Sequence, residues 1–125
     1  MQMRSHSKVI LCIDDDEDVL ECEKEFLETF GYTVLTAPSG GEGLELACKH
    51  SVDVMIVDYF MPEMNGQEVA TEVRRLKPQT KIILLSGAVE IPEQTLNQVD
   101  AFVSKSRLAS QLLSAITQFD VASGP

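Results

Sequence analysis

The chain has few basic residues, no long apolar run and no paired-cysteine spacing, and each lack removes a class of function. Ten Lys and Arg stand against twenty Asp and Glu, a formal charge of −10 at pH 7. A surface of that sign repels nucleic acid and suits a cation or a basic partner. No apolar stretch approaches about 18 residues, so none is expected to span a membrane. The first eight residues, Met-Gln-Met-Arg-Ser-His-Ser-Lys, contain no apolar core of the signal-peptide kind. The three cysteines are too few to pair completely and form no Cys-x-x-Cys metal frame. Cys12 lies in a strand-like run, Cys22 and Cys48 in helix-like runs. All three are expected to be reduced thiols in or near the core of a cytoplasmic protein. No repeat or low-complexity segment interrupts the 125 residues, of which 44% are hydrophobic and 24% charged. That profile belongs to one globular domain. We expect a flexible segment at 1–7, the domain over 8–120 and a tail over 121–125.

Strand-like and helix-like patterns alternate along the chain. Val9 to Ile13 is a continuous apolar run, as expected of a strand buried on both faces. Beyond Asp14-Asp15-Asp16-Glu17-Asp18, apolar residues fall at Val19, Cys22, Phe26, Leu27 and Phe30, a helical spacing with acids at the helix start. Gly31 reads as the stop. A second strand is expected over 33–36, a short helix over 41–50, and a third strand over 52–57 with Asp58 at its end. The loop 60–66 carries Pro62 and Gly66. A helix follows over 67–76, then a strand over 81–85 ending at Ser86-Gly87. Pro92 leaves only 93–98 for a fourth helix. A fifth strand over 101–103 ends near Lys105, and a helix over 107–119 closes the pattern. Five β-α units predict a mostly parallel sheet with helices on both faces. Ligands in such sheets sit beyond the carboxyl ends of the strands. Those ends carry Asp14, Asp15, Asp58, Ser86 and Lys105.

Three carboxylates, a hydroxyl and an ammonium group are thus expected on one edge. Acids pressed together repel unless a cation joins them. A hard divalent cation fits oxygen ligands, and Mg²⁺ is the usual choice where phosphate is present. A carboxylate can also act as a nucleophile and become an aspartyl phosphate. The cation and the Lys would then neutralise charge on the phosphoryl oxygens, and the Ser would donate to one of them.

The chain resembles the receiver domain of bacterial two-component response regulators. The resemblance runs from about Lys8 to Phe119 and rests on four motifs taken together. These are Ile13-Asp14-Asp15, Asp58-Tyr59-Phe60-Met61-Pro62-Glu63-Met64-Asn65-Gly66, Ser86-Gly87 and Phe102-Val103-Ser104-Lys105. It implies a flavodoxin-like (βα)5 fold, a doubly wound parallel sheet of order 2-1-3-4-5. It further implies Asp58 as phosphoacceptor and Asp14, Asp15, Asp58 and the Phe60 backbone carbonyl as Mg²⁺ ligands, with Asp15 the more direct of the acid pair. Ser86 takes the place of the switch hydroxyl, Phe102 that of the rotating aromatic, and Lys105 that of the phosphoryl-binding lysine. Tyr59 and Ala88 stand where residues that influence dephosphorylation often lie. The implied partner is a histidine kinase or histidine phosphotransfer protein, with a homodimer formed on phosphorylation and neither nucleic acid nor membrane bound directly. The domain would assist its own phosphorylation and dephosphorylation without being a turnover enzyme. The chain reads either as a stand-alone regulator or as the receiver of a larger protein.

Three departures from the family pattern stand out. Ser106 follows Lys105 where members usually have a cis Pro. Ser86 and Lys105 are 19 positions apart, a shorter interval than usual, so the fourth helix should be short or irregular. Phe102 replaces the commoner Tyr and has no hydroxyl. These features motivate a rival reading, a phosphorylation-independent interaction module. A third reading, an aspartate-nucleophile phosphatase using Asp14-Asp15-Asp16, leaves the Asp58 loop unexplained. Asp14, Asp16, Asp18 and Glu25 also match calcium-loop positions, but Val19 stands where the loop needs Gly. The acids from Asp16 through Glu28 read mainly as a wet helix face, and Phe102 as a core residue.

Overall fold

The computed structural model describes residues 8–87 and 90–122, with side chains left aside at 108–110 and 120–122. The 1–7 segment and Ala88, both singled out above, lie outside the described residues. The elements run β1 (Val9–Ile13), α1 (Glu17–Glu28), β2 (Thr33–Ala37), α2 (Gly40–Lys49), β3 (Val54–Asp58) and α3 (Gly66–Leu76). They continue with β4 (Lys81–Ser86), α4 (Glu93–Leu96), β5 (Ala101–Ser104), a single 3₁₀ turn (Lys105–Arg107) and α5 (Leu108–Ala122). All strand pairs are parallel, in the order β2-β1-β3-β4-β5. This is the doubly wound, flavodoxin-like order expected from the sequence.

Side-chain alternation along each strand divides the core in two. Ile10, Cys12, Val54, Ile56, Ile83 and Leu85 face one layer, with Leu20 and Leu27 of α1 and Leu112 and Ile116 of α5. Leu11, Ile13, Met55, Val57, Ile82 and Leu84 face the other, with Ala47 of α2 and Val69, Ala70 and Val73 of α3. Burial on both faces explains why β1, β3 and β4 read as unbroken apolar runs. Each fully buried Ile or Leu contributes roughly 1.5–3 kcal/mol. No helix among the described residues is long and apolar enough to cross a membrane.

Local chemistry sets the helix ends. Asp16 caps α1 by accepting from the Asp18 and Val19 amides, so this acid serves the helix rather than the site. Ser39 caps α2. Asn65 and Glu68 form a reciprocal capping box at α3 (3.0 and 2.9 Å). Gly31, at φ +93°, ends the α1 turn in the left-handed region. The short α4 is tied to α3 by Thr95, whose hydroxyl donates to Gln67 Oε1 (2.6 Å). Arg74 of α3 reaches the Gln98 carbonyl (3.2 Å) and pairs with Asp100.

Several boundaries and environments differ from the sequence expectation. β3 begins at Val54 and includes Asp58, α4 has only four residues, and α5 runs to Ala122 rather than ending at Phe119. Cys12 is buried, but Cys22 and Cys48 are exposed thiols rather than near-core ones. Phe102, expected in the core, is 37% exposed, because β5 is an edge strand. Glu23, expected on the wet face of α1, is only 2% exposed and points into the α1–α5 core layer.

Candidate functional site

The carboxyl ends of β1, β3, β4 and β5 converge on one edge of the sheet. Asp14 follows β1 directly, and its amide is anchored to the Ala37 carbonyl at the end of β2 (3.2 Å). Asp58 is the last residue of β3, and the register sets it opposite Leu85, one residue before Ser86. Ser86 is fully buried and opposite Ser104 of β5, immediately before Lys105. Two sequence-distant segments thereby deliver an acid and a base to the same place.

The Lys105 ammonium bridges two carboxylates. Its Nζ lies 3.3 Å from Asp14 Oδ2 and 3.2 Å from Asp58 Oδ1. The Lys105–Ser106 bond is trans, like every described peptide bond. The 3₁₀ turn that begins at Lys105, with the Ser104 and Ser106 hydroxyls 2.9 Å apart, forms the loop where the family usually has a Lys-Pro step. Lys105 therefore reaches the acids without that step. Asp14 has both oxygens engaged, Oδ1 by the Asp16 amide (2.9 Å) and Oδ2 by Lys105. Asp15 is exposed, and its carboxylate has no hydrogen-bond or ion-pair partner among the described residues. Asp14, Asp15 and Asp58 each offer an oxygen within 4.8 Å of the others. Three hard oxygen donors that close, one of them free, fit a divalent cation such as Mg²⁺.

The electrostatics follow from burial and crowding. Asp58 is 4% exposed. Burial pushes its carboxyl above the ordinary value and Asp14 adds to this, outweighing what Lys105 and the Phe60 amide return. Burial alone would lower the Lys105 ammonium, but Asp14 and Asp58 together hold it above its usual value. Both effects describe a carboxylate site short of positive charge, which a bound cation would supply.

The β3–α3 loop is shaped around Asp58. The Gly66 amide donates to the Tyr59 carbonyl (2.9 Å), folding the loop back on the strand. A Cβ at Gly66 would lie 2.7 Å from the Asp58 carbonyl oxygen and 2.8 Å from Tyr59 Cα. Backbone cannot yield to that overlap, so glycine is required. Phe60 stands two residues past Asp58 with its ring exposed and packed edge-on against Tyr59 (4.7 Å between centroids). Phe102 lies on β5 opposite Leu84, two residues short of the strand end. Asp14, Asp15, Asp58 and Lys105 thus meet in the structure; Ser86 and Phe60 sit at the same edge, and Phe102 stands apart.

One group near the site escaped the sequence reading. Glu23 is buried behind the acids, facing Cys12 of β1, and neither carboxylate oxygen makes a well-formed hydrogen bond among the described residues. Burial raises its carboxyl to about 7, the Cys12 thiol opposing this and Asp14 adding to it. The signal was available: Leu20 and Leu27, two turns apart, bracket Glu23 on one helix face.

A family model of the response regulator receiver domain matches residues 10–117. The chain is 34% identical over 110 residues to the transcriptional regulatory protein GlrR of Escherichia coli K12, covering 86% of this chain. It spans 25% of that relative's length. Among solved structures, the response regulator TrrA of Thermotoga maritima, in complex with Mg²⁺ and BeF, is 34% identical with a TM-score of 0.84. That match covers 89% of this chain and 97% of TrrA. TrrA in complex with the histidine kinase ThkA matches at 34% identity, TM-score 0.82, with the same coverage. The parallel sheet, the acids at its carboxyl edge and these likenesses agree, and the chain belongs to the response regulator receiver domain family.

Proposed function

We propose that this receiver domain accepts a phosphoryl group on Asp58 from a histidine kinase or histidine phosphotransfer protein, with Mg²⁺ bound. The observation that carries the reading is the Lys105 ammonium held between Asp14 and Asp58 at the ends of strands far apart in sequence. The Mg²⁺–BeF complex of TrrA and its complex with ThkA support the cation and the partner class. Asp14, Asp15, Asp58 and the Phe60 carbonyl would hold the cation, which supplies positive charge to the phosphoryl oxygens.

The chain's own residues account for the rest. An Asp58 oxygen attacks the phosphorus as the phosphorus–nitrogen bond of the donor phosphohistidine breaks. The electron pair stays on the imidazole, which then takes up a proton. Lys105 is already within ion-pair distance of that oxygen and stabilises the charge moved onto the phosphoryl group. The buried Ser86 hydroxyl donates to a phosphoryl oxygen and links the site to β4 and α4. Phosphorylation then shifts the surface around α4 and β5, where a partner or second copy docks. Exposed Phe102 belongs to that surface. Residues 8–120 act as the cytoplasmic switch unit. The chemistry is one transfer and one hydrolysis on the same Asp, not turnover of a separate substrate.

The test is the intact mass after incubation with a small-molecule phosphoryl donor, with and without Mg²⁺. One Mg²⁺-dependent phosphoryl adduct is expected, absent in Asp58→Asn. An adduct that persists in the variant contradicts the assignment. Partner binding unchanged by Mg²⁺ and phosphoryl donor would instead favour the phosphorylation-independent module.

A further inference from the structure

The edge of the sheet opposite Asp58 holds a cavity of about 470 Å³. It opens among the starts of β1, β3 and β4 and the later part of α5. Lys8, Lys77 and Lys81 border it, together with Gln79, Asp53 and Phe119. Three of the ten basic residues of a chain with net charge −10 thus gather at one concavity. Acids are abundant elsewhere, yet neither Lys77 nor Lys81 has an acidic partner among the described residues. Asp53 is the one acid in the lining, and one of its oxygens is taken by the Val9 amide (2.8 Å). The Lys81 ammonium lies over the Phe119 ring, 6.0 Å from its centre, so the wall pairs an aromatic ring with a cation.

Hydrogen bonds fix the backbone beneath these side chains. The Asp53 amide donates to the Val9 carbonyl (2.9 Å), the Lys81 amide to the Asp53 carbonyl (3.0 Å) and the Thr80 amide to the Lys77 carbonyl (3.0 Å). The buried Thr80 hydroxyl donates to the Val52 carbonyl (2.9 Å). The volume lies in the range of small-ligand sites and is too small for a folded partner. Lysine is a point-charge donor suited to phosphate oxygens.

We propose that this basic cavity at the amino-terminal edge of the sheet binds a small molecule carrying two or more phosphates. The Lys77 and Lys81 ammonium groups meet the phosphates, and the Phe119 ring borders any flat group attached to them. The site is separate from the Asp58 edge and does not depend on the phosphorylation reading.

The probes are inorganic pyrophosphate and ADP, titrated calorimetrically into the wild-type chain without Mg²⁺, which keeps ligand from being bridged to the acidic edge. Both are expected to bind, ADP more tightly than pyrophosphate, and both more weakly as salt is raised. Lys77→Gln with Lys81→Gln should weaken binding roughly tenfold while leaving Asp58 phosphorylation unchanged. Amide chemical shifts in the unaltered chain give a readout that needs no variant. Gln79, Lys81 and Phe119 should move on adding ADP. The proposal is overturned if neither probe binds at millimolar concentration, or if the double variant folds and binds as well as wild type. Shifts confined to other surfaces would also overturn it. Binding of an acidic peptide but of neither phosphate probe would assign the cavity to a protein segment instead.

Discussion

Two buried carboxylates, one at the edge of the sheet and one in the layer behind it, meet opposite circumstances. Asp58 has Lys105 at 3.2 Å and the Phe60 amide beside it. Glu23 has a thiol neighbour and no well-formed hydrogen bond among the described residues. The cost of burying charge is similar in kind at both positions, but among the described residues only Asp58 has a cation within ion-pair distance to set against it. Partnered, a buried acid is held ready to react or to bind a cation. Without a close cation, it draws on the stability of the whole domain.

The sharpest way to expose that contrast is to remove Glu23, the acid with no ion pair among the described residues. The Glu23 carboxyl sits at about 7 in the folded chain against 4.5 for the free group. Between those values the folded chain keeps a proton that the unfolded chain has lost. Stability therefore falls as pH rises through that window and is not recovered above it. The full loss is roughly 3 kcal/mol. Glu23→Met should raise the unfolding free energy by about that amount near pH 8 and by little below about pH 4.5. Denaturant melts of both chains across this range measure the difference.

A second change would make Asp58 resemble Glu23. Lys105→Met removes the cation between Asp14 and Asp58 and leaves two carboxylates facing each other. Without Mg²⁺ the variant should lose about 2 kcal/mol, less than for a fully buried pair because the lysine is partly exposed. Added Mg²⁺ should recover more stability in the variant than in wild type, since the competing ammonium is gone. Thermal melts with and without the ion test this. Equal recovery would mean that Lys105 and the cation do not share the site.

The smallest effect concerns a neutral buried group. Thr95 is fully buried, and its hydroxyl is bonded to Gln67. Thr95→Val should cost about 1 kcal/mol, because Gln67 is only partly buried and can turn to water. Hydrogen exchange should then show earlier opening of α4. No change in its protection would mean that other contacts hold α4 on α3.

The comparison also marks what could be read from the sequence. Asp58 was legible because a strand-length apolar run ends on it and Pro62 and Gly66 follow at loop spacing. The strand order and the meeting of four strand ends followed from five β-α units and the family resemblance. Glu23 was hidden because α1 offers two helical stripes one residue apart. Val19, Cys22, Phe26 and Phe30 form the more apolar stripe, yet Cys22 and Phe30 are exposed. Leu20, Glu23 and Leu27 face the sheet instead. Apolar count favoured the first stripe, and packing chose the second. Phe102 was misplaced for a related reason: an apolar residue in a strand reads as core, but β5 has a neighbour on one side only. Lys105 was legible at that edge from its place at the end of the fifth strand; the 3₁₀ turn that carries it to both acids was not.

Of the three acids gathered at the sheet edge, Asp58 is the one proposed to take the phosphoryl group. The most direct measurement is peptide mapping of the Mg²⁺-dependent adduct after reductive trapping of the aspartyl phosphate. The trapped residue is expected at position 58. Trapping at Asp14 or Asp15 would contradict it.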